Sequence, residues 1–239
     1  MNIIADTHCH TIASTHAYST LTEVARAAAD RGLAAVAVTD HGRALPGAPG
    51  TWYFDNLDVV PDCLFGVRVL RGIEANIIDF EGALDEYPRI LQQLDWVIAS
   101  MHEPTMPSGR EEDYTNAWLA VAENPLVHVI GHSGSPAFRF DYERVIPVFG
   151  AKGKLVEINE NTFVARAGSE ENCRTIARLC KKHGVQVVVN SDSHFHTSVG
   201  EVGRGLELLR SVDFPEELVA NSSKERFDAY LCAHTRAKL

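Results

Sequence analysis

Eleven histidines occur among 239 residues, and most stand in short polar clusters beside other metal-capable side chains. The clusters are Asp6-Thr7-His8-Cys9-His10 with His16 close behind, Thr39-Asp40-His41-Gly42, Gly72-Ile73-Glu74-Ala75-Asn76, Ser100-Met101-His102, Gly131-His132-Ser133-Gly134 and Ser191-Asp192-Ser193-His194. Imidazole and carboxylate without thiolate form a ligand set that suits zinc, manganese or iron. In an extended segment side chains alternate, so His8 and His10 point to one side and Cys9 to the other, and one ion could accept both imidazoles. An isolated His-x-His pair arises often by chance, so the repeated pattern carries the signal. The five cysteines, Cys9, Cys63, Cys173, Cys180 and Cys232, form no Cys-x-x-Cys pair and are odd in number. They read as reduced, mostly buried thiols rather than a disulfide framework or a zinc site.

The elements that must position these residues follow from the apolar patterning. Seven short Val/Ile-rich runs predict strands at Ile3 to Ala5, Ala34 to Thr39, Val67 to Leu70, Trp96 to Ala99, Val127 to Ile130, Lys154 to Ile158 and Val185 to Val189. Most lack strict alternation, as strands covered on both faces do. Helices are expected between them. The first is signalled by Thr20 as N-cap, Glu23 completing a capping box and Gly32 as the stop, and another runs from Ser169-Glu-Glu-Asn-Cys to Gly184. Two helices, Gly203 to Val212 and Pro215 to Ala233, are expected to close the chain, with no eighth strand. The reading is one α/β domain over residues 1–239, a distorted TIM-like (βα)7 barrel. A doubly wound open sheet is the alternative from pattern alone. The chemistry favours the barrel: ligand-capable residues follow six of the seven runs, and a barrel brings all its strand ends around one axis, whereas an open sheet gathers its site at one switch point.

Composition narrows the function. With 45% hydrophobic residues the chain can bury a large core, and its net charge of −10 disfavours long nucleic acids and anionic membrane surfaces. The amino terminus lacks a signal-peptide pattern and no run is long enough to span a bilayer, so the expected location is the cytoplasm. A homo-oligomer is compatible with the sequence.

The clusters together resemble the PHP (polymerase and histidinol phosphatase) family, close to its YcdX-like group of bacterial phosphatases. The matching stretches are D-T-H-C-H with His16, T-D-H-G, G-I-E-A-N, S-M-H, G-H-S-G and S-D-S-H, with L-V-E-I-N and G-S-E-E-N-C outside the ligands. The resemblance implies three metal ions, zinc first among the candidates. His8, His10, Glu74 and Asp192 would hold one, and Glu74 would bridge to a second held by His102 and His132. His16, His41 and His194 would hold a third. It implies a small phosphorylated substrate, cleaved as a phosphate monoester by a metal-bridging hydroxide held at Glu74 and Asp192. Three divalent ions offset by two carboxylates and a hydroxide leave a pocket charge of about +3, enough to attract a phosphate inside an acidic protein.

Around this set, Asp6 and Asp40 read either as carboxylates that orient a ligating imidazole or as ordinary turn aspartates. Arg43, Arg139 and Arg166 could fork onto phosphate, with Arg166 the choice among the three. Asn159 is a substrate contact or a turn residue, and His196 a leaving-group acid or a solvated loop residue. His128 reads as a packed or surface strand residue. The competing functions are a PHP-type phosphodiesterase or exonuclease, an amidohydrolase, whose barrels also begin with His-x-His, and a metal-binding regulatory protein with an inactive site.

Overall fold

A computed structural model describes residues 1–237. Its strands are β1 (Ala5–Cys9), β2 (Ala35–Val38), β3 (Cys63–Leu64), β4 (Val67–Asn76), β5 (Trp96–Ser100), β6 (Val129–Ile130), β7 (Leu155–Asn159) and β8 (Val187–Asn190). Its helices are α1 (Leu21–Asp30), α2 (Thr51–Asp55), α3 (Pro88–Leu91), α4 (Glu111–Glu123), α5 (Tyr142–Ala151), α6 (Thr162–Ala165), α7 (Ser169–His183), α8 (Gly203–Ser211) and α9 (Lys224–His234). Seven strands pair in parallel in the order β1-β2-β4-β5-β6-β7-β8, and the sheet curls into a nearly closed barrel inside the helices. Six of the seven expected runs overlap strands by two residues or more, whereas the first, Ile3 to Ala5, shares only Ala5 with β1, which runs on to Cys9. The additional β3 is two residues long and pairs antiparallel with β4 across Phe65-Gly66, both at positive φ, so a signal of that length was not visible in the patterning.

Period-two alternation divides every strand between two environments. The inward residues near the base are apolar: Ala35, Leu70, Trp96, Val129, Leu155 and Val188 form one cluster. Further along the same inward faces come Glu74 and Asn76 on β4, Glu157 and Asn159 on β7, and Asn190 on β8. The outward residues, such as Ile73 and Ala75 or Val187 and Val189, pack under the helices. Strand β1 needs a correction to this parity. Ala5 belongs to the inner cluster, so strict alternation would turn Thr7 and Cys9 inward and both histidines outward. The register with β2 slips between Asp6 and Cys9, where one extra residue bulges. Beyond the bulge Cys9 packs outward with Val36 and Val38, and His8 and His10 face the interior.

The helix signals translate directly. Thr20 and Glu23 form the capping box of α1, and Gly184 ends α7 at φ 67°. The single final helix expected from Pro215 to Ala233 does not form. Two 3₁₀ turns, Glu216–Leu218 and Ala220–Ser222, precede α9. The reason is the seam between β8 and β1. There the buried side chain of Asn221 donates to the Ala5 and Val189 carbonyls at 2.8 and 2.7 Å and accepts the Val189 N–H at 3.1 Å, standing in for a missing strand ladder. At the other end of the seam Cys9 bridges to Ser193, and the His10 N–H donates to the Ser193 carbonyl at 2.8 Å. Helix α9 then closes the base. Phe227, Tyr230 and Leu231 join the inner cluster, and the Tyr230 hydroxyl donates to the His128 carbonyl at 2.9 Å. His128 itself is buried, with Nδ1 accepting the Val97 N–H at 2.9 Å.

Truncating Asn221 to Ala leaves three buried backbone groups unpaired, so N221A should lose about 2–4 kcal/mol in a urea titration. Burial also holds His128 down to about 4, against an ordinary 6.5. Between those pH values the unfolded chain takes up a proton that the folded chain refuses, so stability falls as pH is lowered through this window. The full effect is about 3 kcal/mol. H128N keeps an acceptor for Val97 and should remove that share of the slope when unfolding is measured from pH 7 to pH 4.

Candidate metal centre

All nine expected ligand residues converge at the carboxyl end of the barrel, and Glu74 lies at their centre. This carboxylate is 1% exposed on the inward face of β4. Its Oε2 lies 3.5 Å from His8 Nε2, 3.5 Å from His10 Nε2 and 2.7 Å from His41 Nδ1. Its Oε1 lies 3.4 Å from His102 Nε2 and 2.7 Å from His132 Nε2. Across the cluster Asp192 Oδ1 is 3.2 Å from His10 Nε2 and 3.6 Å from both His8 Nε2 and His194 Nδ1. The His16 ring lies 4.9 Å from that of His41 and 4.8 Å from that of His194, with His16 Nε2 3.2 Å from His41 Nε2. Two positions differ from the sequence expectation: His8 and Glu74 lie within β1 and β4 rather than after them. Pairing of β4 with β5 continues to Asn76 opposite Ser100, so the strand outlasts its Val/Ile-rich start.

The donor chemistry fits cations. His8 Nε2, both nitrogens of His10, His41 Nδ1 and Glu74 Oε2 are buried without a hydrogen-bond partner among the described residues. Some lie close to a carboxylate and still do not align as hydrogen bonds, His41 Nδ1 and Glu74 Oε2 among them. Buried polar atoms left this way are costly, and an ion placed between them removes the cost. Three trios of such donors, His10-His41-His194, His8-His10-Glu74 and His41-Glu74-His102, each lie within 4.8 Å. Titration follows the same demand. Burial and neighbouring His41 push His10 well below its usual range, and burial with Arg166 nearby lowers His132 to about 4, so both are neutral donors. His8 goes the other way. Burial opposes its charge, but Glu157, Asp192 and Glu74 outweigh burial and draw positive charge to this point. Burial likewise opposes ionisation of Glu74, yet His102, His41 and His8 hold it well below the carboxylate range.

A supporting layer fixes the donors, and its main member, Glu157, was not singled out from the sequence. Glu157 Oε1 lies 2.7 Å from His8 Nδ1 and accepts from Asn190 Nδ2 at 2.9 Å, while Oε2 accepts the His132 N–H at 2.8 Å. The available signal was a charged residue between valine and isoleucine on β7, two residues before Asn159 and therefore on the same inward face. His102 Nδ1 lies 2.7 Å from Asn76 Oδ1. His132 and Asp192 adopt the left-handed conformation, at φ 24° and 56°, which turns each out of its strand's direction. Gly131 allows this crowding, because a Cβ there would lie 2.1 Å from Ser100 Oγ.

The remaining candidates separate by location. Asn159 is buried and donates to Asp192 Oδ2 and Glu157 Oε2, both at 3.1 Å, so it positions Asp192 and does not face the opening. Asp40 accepts from Thr11, Ser14 and Tyr53 and holds the loop after β1 without touching an imidazole ring. Asp6 does the same for the Asp192 loop through Ser191 and Gly200. A cavity of about 530 Å³ opens over the cluster, and Arg166 lines it together with Asn161, His102 and Glu103. Arg43 instead stacks on Tyr87 and Arg139 pairs with Glu111, both outside this cavity. His196 turns away toward Ser19, with Nδ1 3.0 Å from the hydroxyl, and does not line the cavity, which removes it as a leaving-group acid in this arrangement.

The PHP domain family pattern matches residues 6–161. The chain is 48% identical to a "probable phosphatase" of Acetivibrio thermocellus over 97% of this chain and 96% of that one. It is 45% identical to another "probable phosphatase" of Caldanaerobacter subterraneus subsp. tengcongensis over 97% and 92%. Among solved structures, a histidinol phosphate phosphatase from Lactococcus lactis, complexed with zinc, L-histidinol and phosphate, aligns over 90% of this chain and 95% of its own. Its TM-score is 0.65 at 20% identity, a likeness of fold. With more than half of its length matched by the family pattern and close relatives spanning nearly all of it, the chain belongs to the PHP domain family.

Proposed function

We propose that the chain is a metal-dependent phosphatase that hydrolyses a phosphate monoester at a trinuclear centre, with zinc as the resident ion. The observation that carries this reading is Glu74, whose two oxygens face separate histidine groups as a bridging ligand requires. His8, His10, Glu74 and Asp192 would hold one ion, and Glu74, His102 and His132 a second. His16, His41 and His194 would hold the third. His41 reaches both ways, with Nδ1 toward Glu74 and Nε2 toward His16. We assign it to the third group because a neutral imidazole coordinates through one lone pair, and its Nε2 side is where a second imidazole waits. The phosphatase names of close relatives and the zinc and phosphate of the Lactococcus lactis protein support the same chemistry.

Bound divalent ions supply Lewis acidity that activates water and neutralises phosphate charge. The chain's own residues do the positioning. Glu157 accepts the His8 Nδ1 proton and so directs the Nε2 lone pair inward, and Asn159 and Asn161 hold Asp192 at 3.1 and 3.4 Å. Arg166, the one arginine lining the cavity among the described residues, is placed to fork onto phosphate oxygens outside the ion cluster. The cavity suits a small phosphorylated molecule, and no helix among the described residues is long and apolar enough to cross a membrane.

Chelation should abolish hydrolysis of small phosphate esters, and added zinc or manganese should restore it. E74A should lose about 10³-fold in kcat/KM and bind at least one ion fewer by elemental analysis. Full activity in E74A would overturn the bridging assignment. E157Q leaves every proposed ligand in place, so it should weaken metal affinity about 10–100-fold and be rescued by excess zinc.

A further inference from the structure

A second cleft of about 480 Å³ opens beside the cavity over the metal centre and shares His16, Asn161, Asp192 and His194 with it. Helix α6 forms the divide, presenting Val164 to the second cleft and Ala165 to the first. A monoester places its phosphate at the shared wall, and its organic part then extends into one of the two openings. Arg166 lies in the first.

Apart from the Tyr18 hydroxyl at its rim, most polar groups of the second cleft are already engaged. Glu160 accepts the Arg204 and Gly205 N–H groups at 3.1 and 2.9 Å, which ties down the start of α8. Glu201 pairs with Arg31 at 2.6 Å. Ser191 donates to Asp6, and Ser198 donates to the Phe195 carbonyl with its oxygen 3.2 Å from the Ser193 hydroxyl. What remains for a ligand is apolar and aromatic surface: Tyr18 is 71% exposed, Val164 76% and Phe195 45%. Two rings and a branched aliphatic side chain are exposed together in one cleft that adjoins the metal cluster, a surface that an apolar ligand would cover. The main chain holds them in place, since the Tyr18 N–H donates to the His194 carbonyl at 2.9 Å and fixes the Tyr18 loop against the Phe195 loop.

We infer that this cleft seats the leaving group of the ester, and that the group it fits is a planar ring without negative charge, carried on an alcohol. The inference rests on the phosphatase reading and specifies its substrate class. In the reaction water forms the new P–O bond and the bridging P–O bond breaks. The alcohol departs with a proton that the water gives up, and its ring stays against Tyr18 and Phe195 until release. An anionic leaving group is disfavoured here, because Glu160, Asp192 and Glu201 all line the cleft. Small aliphatic leaving groups would leave the rings exposed.

The test uses the zinc-loaded protein with benzyl phosphate and ethyl phosphate, whose leaving alkoxides are similarly basic. The wild type should prefer the benzyl ester by about tenfold or more in kcat/KM, chiefly through KM. Y18A removes one ring and V164W fills the cleft from an exposed position, so each should cut that preference severalfold, with zinc content measured alongside. Equal kcat/KM for the two esters, or an undiminished preference in both variants, would overturn the inference while leaving the phosphatase reading standing. Hydrolysis of neither ester would overturn that reading and this inference with it.

Discussion

A carboxylate buried in the middle of a closed barrel has to be compensated, and Glu74 sets this constraint for the whole molecule. Taking an isolated carboxylate out of water is among the costliest things a fold can do, so positive charge must reach it from within. Five imidazoles approach its two oxygens from four different segments of the chain. Imidazole is the side chain suited to this task, because it can act as a neutral ligand to an ion or carry a proton itself. The approach from both sides also explains why the ends of β1, β2, β4, β5 and β6 must meet around one axis, which an open sheet does not allow.

The rest of the barrel is arranged around that requirement. Its interior changes from apolar at the base, where α9 seals it, to polar at the top, along strands that keep a constant inward face. Two departures from regular backbone serve the ligands. The bulge in β1 reverses the parity that would otherwise turn His8 and His10 toward the helices, and the left-handed residues His132 and Asp192 redirect two further donors. Each left-handed residue costs about 1–3 kcal/mol where the side chain is not glycine, less for aspartate. The neighbouring structure sustains them. Glu157 accepts the His132 N–H, and Asn159 and Asn161 hold the Asp192 carboxylate. Glu157 thus joins three parts of the site, since it also contacts His8 and Asn190.

Much of this was legible in the sequence. Recurring clusters near the ends of Val/Ile-rich runs single out the residues that converge at the carboxyl end of the barrel, because metal chemistry limits the donor types and a barrel limits where they stand. The capping box of α1 and the glycine stop of α7 are local signals, complete within a few residues, and they translate without loss. Less was legible where the partner lies far along the chain. Glu157 looks like a misplaced charge until β7 is set beside β8 and the start of β1. Asp40 and His196 stand beside ligands in sequence but spend their hydrogen bonds on Thr11, Ser14, Tyr53 and Ser19. The Pro215 to Ala233 segment has helical composition, yet Asn221 is drawn into the barrel seam and the helix breaks into turns.

The sequence by itself therefore determined the donor set, the seven parallel strands and the family. The donors and strands rest on residue type and on periodicities of two and 3.6, and the family on the resemblance of short motifs, all of which are local properties of the chain. Tertiary structure decided which way each donor points, which oxygen of Glu74 meets which histidine, which arginine reaches the cavity and which polar groups beside it are already satisfied. Those outcomes depend on contacts between residues far apart in the chain, such as Asp6 and Ser191, separated by 185 positions. A single inserted residue in β1 is enough to reverse them, because one step along a strand moves a side chain to the opposite face.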